Sequence, residues 1–350
     1  MHNPKVFFLT TALILLSFSG ARAGGRFEYP FSQNLKIEPG TKVIIENLAG
    51  DIRVIQGPAG QLTVDGKKVI RAPSRKVAEE EAGRINIVVK RENGEVHVGV
   101  EDGGRRTGVF SGFRKRVSSW VDFNLLIPPE TGLKINSTSG DITAKGVEGE
   151  VTVKTVSGDL SLVGLNGMVM IHTVSGDVDL KGIEGAIWVE GTSSDLYLSG
   201  IKGDMEISTT SGDIKGQDIE GNLTVEGTSG DVGIMGIRGD LRASLHSGDV
   251  NADMTLGGVK VKTTSGDVYI RASLQEGKDY QVDTSSGDVV FKIKEEKSFN
   301  LVIDTASGEI NVKVPLIISS ISRNHIEGKV GEGGATVRIV TSSGDIELSQ

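Results

Sequence analysis

Aspartate is the residue whose spacing points most clearly to chemistry in this sequence. An acidic side chain follows a Ser-Gly or similar pair at steps of 18 residues over much of the chain. Hard cations such as Ca²⁺ take carboxylate oxygens as ligands, so one interpretation is a row of weak metal sites. The other is structural, because an aspartate after glycine caps its turn by accepting backbone N–H groups. The glycine-rich nonapeptide of calcium β-rolls is absent, which favours turn capping. The candidate metal row is Asp159, Asp177, Asp213, Asp231, Asp249 and Asp267.

Catalytic residues are harder to find. Enzymes that cleave polysaccharides use acids in irregular clusters within a groove, whereas the acids of this chain are periodic. Neither a Gly-x-Ser-x-Gly nucleophile elbow nor a His-x-x-x-His pair occurs, and the histidines beyond residue 23 are scattered at His97, His172, His246 and His325. We therefore expect no enzymatic activity, no catalytic residues and no cofactor. A polysaccharide-active β-helix enzyme ranks third among the interpretations.

Two groups of residues interrupt the regular pattern and indicate a place for a partner. The first contains Met170 and Trp188, at the outward phase of one strand in consecutive repeats, beside outward Tyr197 in the next strand. Exposed apolar neighbours mark contact surfaces, unless a neighbouring side chain or a capping segment covers them.

The second group is a basic, glycine-rich loop. Cations and aromatic rings on such a loop suit anionic glycans or lipid headgroups; the alternative is a loop that is merely solvated. Its candidate partner-binding residues are Arg105, Arg106, Arg114, Lys115, Arg116 and Trp120, with Phe110 and Phe113 nearby.

A repeat must position all of these residues. One unit, residues 139–156, has apolar residues alternating with polar ones in two short stretches, separated by a Gly-x-x-Gly turn. A period of two marks strands with one buried face, and glycine tolerates the positive φ of tight corners. Threonine recurs at the inward phase, where we expect ladders of hydroxyl groups. A lone unit of 18 residues cannot bury enough surface to fold, so the units must stack. The repeat predicts an all-β, single-stranded β-solenoid, similar to a parallel β-helix, with 18-residue coils.

Residues 49–64 match the repeat as an early unit with one extra residue, and an insertion separates this unit from the regular series. Residues 73–84 favour a short helix, Asn93-Gly94 is a strong hairpin signal, and residues 121–127 alternate as a strand. We interpret the early coil and insertion, residues 24–137, as an N-terminal α+β cap, because a solenoid end needs cover. Residues 138–350 are then the solenoid repeats, with a C-terminal cap at the break in period over residues 315–333.

The first 23 residues predict a signal peptide. Lys5 precedes an apolar stretch of residues 6–18, and Ala21-Arg22-Ala23 fits a cleavage site. The chain has no cysteine and a formal charge of −8, which excludes disulfides and disfavours nucleic acid as a partner. No later segment is apolar enough for a transmembrane helix. We expect an exported protein in the periplasm, at the cell surface or secreted.

The opening Asn47-Leu48-Ala49-Gly50-Asp51-Ile52, the Ser-Gly-Asp series and the closing Thr341-Ser342-Ser343-Gly344-Asp345-Ile346 resemble the bacterial putative adhesin family, a β-solenoid family with a domain of unknown function. The resemblance covers the chain from about Phe27 to Leu348, implies a solenoid at the cell envelope, and brings no catalytic residues. The function expected is therefore a non-catalytic structural or binding (adhesin-like) module for an envelope polymer or protein. The alternative is an envelope-stress or assembly factor that works through protein–protein contacts.

Overall fold

The structure is a computed structural model that describes residues 25–102, 117–295 and 297–350. Within those residues the chain forms 31 strands and one helix. Contacts divide it into two compact units, one that runs to Gly158 and one that comprises Asp159–Gln350. In each unit, successive coils pair in parallel within two sheets, which confirms the predicted β-solenoid.

The first unit contains ten strands and the helix. Its elements are β1 (Gly25–Lys36), β2 (Lys42–Ala49), β3 (Ile52–Gln56), β4 (Gln61–Ala72), α1 (Arg75–Ala82), β5 (Ile85–Glu92), β6 (Glu95–Asp102), β7 (Ser118–Ile127), β8 (Gly132–Ser139), β9 (Ile142–Lys145) and β10 (Val151–Thr155).

Parallel coils and an antiparallel extension meet in this unit. One sheet has the order β1-β4-β7-β3-β9 and the other the order β10-β8-β2-β6-β5. The coil strands are in register, so that Ile52 lies opposite Ile142 in parallel pairing. Antiparallel pairs β1–β4, β4–β7 and β5–β6 extend the sheets beyond the coils. All of these strands lie within residues 24–137, the segment predicted to be an N-terminal cap.

The predicted helix and hairpin are both present. Ser74 is the N-cap of α1, and its hydroxyl accepts a hydrogen bond from the backbone N–H of Val77. Asn93 and Gly94, between β5 and β6, have positive φ values of 52° and 83°. A two-residue hairpin turn needs positive φ at both positions if its twist is to match that of the flanking strands.

One strand of the early coil differs from the prediction. The sequence matches the repeat through residues 61–64, but β4 runs antiparallel to β7 in the same sheet as β3 and does not cross to the other sheet. The reason lies in the Gly-Pro-Ala-Gly link before it: Gly60 has a φ of 71°, and the backbone N–H of Gln61 donates to the Pro58 carbonyl, which closes a tight reversal. The early coil therefore consists of β2 and β3.

The second unit contains the regular repeats. Its strands are β11 (Leu160–Val163), β12 (Val169–Ser175), β13 (Val178–Lys181), β14 (Ile187–Ser193), β15 (Leu196–Lys202), β16 (Met205–Ser211), β17 (Ile214–Glu220), β18 (Leu223–Ser229), β19 (Val232–Arg238), β20 (Leu241–Ser247), β21 (Val250–Leu256), β22 (Val259–Ser265), β23 (Val268–Ala272), β24 (Asp279–Ser286), β25 (Val289–Ile293), β26 (Phe299–Ser307), β27 (Ile310–Lys313), β28 (Ile317–Ser322), β29 (His325–Val330), β30 (Ala335–Ser343) and β31 (Ile346–Ser349).

Odd-numbered strands from β11 to β25 form one sheet of this unit, and even-numbered strands from β12 to β24 form the other. We call them the odd sheet and the even sheet. Equivalent residues of neighbouring coils are Cα partners, so apolar side chains stack in buried columns between the sheets. One column comprises Leu160, Val178, Leu196, Ile214, Val232, Val250 and Val268. Each such side chain contributes about 1.5–3 kcal/mol of gross stabilisation when fully buried.

Glycine is required where the coils turn between the sheets. Gly230 has a φ of 127°, and a Cβ atom there would lie 2.1 Å from the carbonyl oxygen of Gly212 in the preceding coil. No L-residue with a side chain fits such an approach, and positive φ adds strain of its own. The Ser-Gly-Asp corner thus lets adjacent coils come close enough to pair.

The inward threonine column is buried as predicted, but its hydroxyl groups do not form ladders between coils. Thr173 and Thr209 donate instead to the carbonyl of the residue two positions later, Ser175 and Ser211, at 3.3 and 3.1 Å. The same hydrogen bond recurs at Thr155 and Thr263. These four hydroxyl groups therefore each satisfy a carbonyl of their own corner. Later in the column, the buried hydroxyl groups of Thr284, Thr305 and Thr341 have no hydrogen-bond partner among the described residues.

The last coil in the sequence is not the last coil of the stack. The even sheet continues β24-β30-β26-β29-β28, and the odd sheet continues β25-β31-β27. The hairpin β28–β29 folds back antiparallel on β26, so the chain re-enters the stack and β30 pairs in parallel with both β24 and β26. The predicted break over residues 315–333 is this hairpin.

Candidate functional site

The aspartates of the Ser-Gly-Asp corners form hydrogen bonds from coil to coil. At most of these corners the backbone N–H of the aspartate donates to Oδ1 of the aspartate one coil earlier, at 2.8 to 3.0 Å, and we call this series the aspartate ladder. Its donor–acceptor pairs in the second unit include Asp177–Asp159, Asp213–Asp195, Asp231–Asp213, Asp249–Asp231, Asp267–Asp249 and Asp288–Asp267. In the first unit, the N–H of Asp141 donates to Asp51 in the same way.

The ladder explains how a row of like charges is tolerated. Two carboxylates about 5 Å apart in water repel by about 1 kcal/mol. A hydrogen bond from N–H to a carboxylate contributes about 1.5–3 kcal/mol, which outweighs that repulsion. The Oδ1 atoms of the candidate metal row therefore have a structural role at Asp159, Asp213, Asp231, Asp249 and Asp267. In the part of the chain that the structure describes, no group of three or more His, Cys, Asp or Glu residues is placed to hold a metal ion.

A second, shorter ladder follows the opposite corners of the coils. In this ladder a side-chain Oδ1 accepts a hydrogen bond from the backbone N–H one coil later. The acceptor–donor pairs are Asp204–Asn222, Asn222–Asp240 and Asp240–Gly258. The Gly258 N–H and the Lys278 ammonium, 2.8 Å from Asp240 Oδ1, lower the pKa of the Asp240 carboxyl. Asn222 shows that a neutral amide oxygen can fill a ladder position. The Ser-Gly-Asp pattern does not predict this ladder, because the ladder residues lie outside that triplet.

Met170 and Trp188 lie side by side on the outward face of the even sheet, as predicted. They are Cα partners in β12 and β14, and Trp188 is in turn the partner of Glu206 in β16. Met168, which is 51% exposed, borders the same depression of about 440 Å³. We call it the Trp188 groove, lined by Met168, Met170, Trp188, Glu206, Thr224 and Arg242.

The position of the indole is fixed from one side. The His172 ring meets Trp188 edge-on, with centroids 4.6 Å apart, and Nδ1 of His172 lies 2.9 Å from a carboxylate oxygen of Glu190. At the other end, Glu206 and Arg242 supply one charge of each sign. The groove therefore combines a half-buried aromatic surface with a polar rim, the usual composition of a contact site.

Tyr197 lies in a different depression, on the outward face of the odd sheet. The Ser-Ser-Asp corner after β14 carries the chain from one sheet to the other, so Tyr197 in β15 does not join Trp188 in β14. The Tyr197 depression has a volume of about 400 Å³. We call it the Tyr197 groove, lined chiefly by Asp179, Tyr197, Lys215, Gln217, Gly233, Met235 and Asn251.

The basic loop lies largely outside the described residues, which omit Arg105, Arg106, Arg114, Lys115 and Arg116. Its last predicted member, Trp120, is in β7 and half-buried. The guanidinium groups of Arg71 and Arg26 lie 5.2 and 5.7 Å from its ring centroid. Two strand arginines therefore stack with Trp120 by cation–π contact.

The predicted signal peptide, residues 1–23, also falls outside the described part of the chain. Among the helices that are described, none is long and apolar enough to span a bilayer.

Comparisons with solved structures give neighbours at low identity. A putative adhesin from Parabacteroides distasonis is 11% identical, with a TM-score of 0.34 over 91% of this chain and 96% of that one. A putative adhesin from Bacteroides fragilis and a putative lipid binding protein from P. distasonis are also 11% identical, with TM-scores of 0.26 and 0.25; each match covers 91% of this chain and 96% of the other.

No functionally curated protein matches the sequence. The family model described as Toastrack DUF4097 matches residues 41–235 and again residues 187–349. These matches span most of the sequence, and the chain belongs to the Toastrack DUF4097 family.

Proposed function

We propose that this protein is a non-catalytic binding module that acts at the cell envelope after export, and that its Trp188 groove holds the partner. The observation that carries the proposal is the cluster of Met168, Met170 and Trp188 on a sheet face whose other outward positions are mostly charged or polar. Aromatic residues and methionine are enriched in the centres of interfaces, and tryptophan is prominent among the residues that carry binding energy.

The acidic residues support a binding role rather than catalysis. The carboxylates that recur most regularly accept backbone N–H groups in the aspartate ladder, so their oxygens serve the stacking of coils. The N-terminal sequence supports export, since Lys5, the apolar stretch after it and Ala21-Arg22-Ala23 form the pattern of a signal peptide.

The test uses the exported full chain and envelopes isolated from cells that produce it. Trp188→Ala should reduce co-sedimentation with these envelopes at least tenfold, because loss of an interface tryptophan costs about 2 kcal/mol or more. The matched control is Tyr269→Ala, which removes a half-buried outward aromatic from the odd sheet. Equal binding by wild type and Trp188→Ala would refute the groove as the contact site.

Export is tested separately by cell fractionation. Recovery of the protein in the cytoplasm would refute export.

A second candidate function, assembly through protein–protein contacts, is favoured by strand β28. It lies at the edge of the even sheet, and Ile317, Ile318 and Ile321 are 61%, 51% and 64% exposed. An apolar, uncharged edge strand invites pairing with another strand. A photo-crosslinker at Ile321 should then form a discrete protein adduct in cells that Ile318→Lys abolishes; an unchanged adduct pattern would exclude this edge.

A further inference from the structure

A glycine creates the Tyr197 groove. Gly233 stands in the outward phase of β19, between Lys215 of β17 and Asn251 of β21, which are its Cα partners. A Cβ atom at Gly233 would have its nearest neighbour, the Ile214 carbonyl oxygen, 4.0 Å away. The space above the strand is therefore open, and no positive φ requires the glycine. A glycine inside a strand marks a bulge, a tight bend or a site where a ligand or another backbone approaches closely, and the strand register at Gly233 itself is regular on both sides.

The side chains around this notch offer both apolar and hydrogen-bonding surface. The Tyr197 ring is 39% exposed and Met235 is 65% exposed. The side chains of Asp179 and Asn251 make no hydrogen bond or ion pair in the part of the chain that the structure describes, so their polar side-chain atoms remain available. Gln217 donates to the Ser199 hydroxyl at 3.1 Å, which fixes the orientation of its amide.

This combination matches the chemistry of a sugar ring. A pyranose has an apolar C–H face that stacks on an aromatic ring and a rim of hydroxyl groups that bond to carboxylate and amide groups. The groove contains one carboxylate, Asp179, and one ammonium, Lys215, whose Nζ lies 5.8 Å from the Tyr197 ring centroid. Lys215 Nζ also lies 3.8 Å from Oδ2 of Asp213, so the groove has no uncompensated positive charge, which suits a neutral polymer better than an anionic one.

The length of the depression suits a chain of sugars rather than a single one. Its lining residues come from β13, β15, β17, β19 and β21, five neighbouring strands of the odd sheet. Neighbouring strands are about 4.8 Å apart, so an extended glycan that crosses them meets a new set of outward side chains at each strand. The exposed Met235 thioether gives the methyl of an acetamido group an apolar, adaptable contact.

We propose that the Tyr197 groove binds a neutral, N-acetylated glycan. The apolar face of one sugar ring stacks on Tyr197, and an acetamido methyl group contacts Met235. The side chains of Asp179, Gln217 and Asn251 form hydrogen bonds with the sugar hydroxyl groups. This site is on the opposite sheet from the Trp188 groove and goes beyond the function proposed above.

The experiment is titration calorimetry of the full chain with chitohexaose, a hexamer of N-acetylglucosamine. Binding is expected for the wild type, and a loss of about tenfold or more for Tyr197→Ala. Cellohexaose, which lacks the acetamido group, should bind at least several-fold more weakly. Absence of chitohexaose binding to the wild type would overturn the proposal, and equal binding of cellohexaose would overturn its N-acetyl specificity.

Two further variants separate the groove from general effects on folding. Gly233→Thr fills the notch with a residue that strands favour, so it should melt at the same temperature as the wild type or higher while losing chitohexaose binding. Tyr269→Ala, in the same outward row but beyond the groove, should bind normally. Undiminished binding by Gly233→Thr would refute the groove as the site.

The Trp188→Ala variant distinguishes glycan binding in the Tyr197 groove from the envelope binding proposed for the Trp188 groove. It should retain chitohexaose binding, because Trp188 lies on the even sheet, and a parallel loss in Trp188→Ala and Tyr197→Ala would refute an independent glycan site.

Discussion

The backbone N–H of Asp231 donates a 3.0 Å hydrogen bond to Oδ1 of Asp213, the aspartate at the equivalent corner of the preceding coil. Oδ1 of Asp231 then accepts from the N–H of Asp249 at 2.9 Å. The ladder joins consecutive coils at their corners, outside the two sheets. Each side chain acts there as a hydrogen-bond acceptor, and its negative charge is not needed for that role.

Replacement of Asp231 should therefore discriminate between hydrogen bonding and charge. Asp231→Asn keeps the acceptor, as Asn222 does at the other corner, and should unfold within about 0.5 kcal/mol of the wild type or be more stable. Asp231→Ala leaves the Asp249 N–H without its partner and should lose about 1–2 kcal/mol. Urea unfolding measures both. Equal destabilisation by the two variants would show that the negative charge itself is required.

Calcium should not stabilise the protein through the aspartate ladder. The Oδ1 atoms of Asp213, Asp231 and Asp249 already accept backbone N–H groups, so a cation would have to compete with them. We expect the same Tm in millimolar calcium and in chelator. A Tm that rises with calcium in the wild type but not in Asp231→Asn would contradict this interpretation.

Gly230→Ala should strongly destabilise the second unit. The new methyl would approach the Gly212 carbonyl oxygen to 2.1 Å at a φ of 127°, so strain and overpacking add to a loss of about 3 kcal/mol or more. Gly277 is the control, because its φ of 74° is also positive but nothing lies within 4 Å of an added Cβ. Gly277→Ala should cost about 1 kcal/mol in urea unfolding. Equal losses would show that backbone conformation, not coil spacing, selects the corner glycines.

Stability should fall in acid partly through Asp240. Its pKa is lowered in the folded state by the Gly258 N–H and by Lys278, so its contribution is complete above the unfolded pKa of about 3.9 and is lost as pH falls through the lower folded value. Asp240→Asn should therefore show a shallower decline of Tm below about pH 4. Asp179→Asn, which removes an outward acid whose side chain makes no described hydrogen bond or ion pair, is the charge-matched control. Identical slopes for Asp240→Asn and the wild type would refute the linkage.

The sequence predicts the interior of the repeats well because the constraints there are local. Alternation places Ile214 and Val232 inward, and the buried turn residue Ile237 follows from its flanking glycines. The helix N-cap at Ser74 and the Asn93-Gly94 turn are likewise encoded within a few residues.

The sequence does not predict the features that depend on which strands become neighbours in the stack. Coils with similar columns can pair with one another in any order, so nothing local indicates that β30 inserts between β24 and β26. Tyr280 also escaped prediction, although its hydroxyl donates to the Ser273 carbonyl and accepts from the Gln275 N–H. It anchors the three extra residues of its 21-residue coil, and burial raises its pKa.

The insertion of β30 and β31 also constrains how the molecule reaches its native state. Val282, Ile303 and Ile339 occupy one buried column, so β26 can pair with β24 before residues 335–349 are in place. A chain that emerges amino-terminus first meets that premature pairing before the native one, and must reopen it to admit the final coil. Maturation should then contain a slow step of strand displacement, confined to the last coils and independent of the rate at which the earlier repeats assemble.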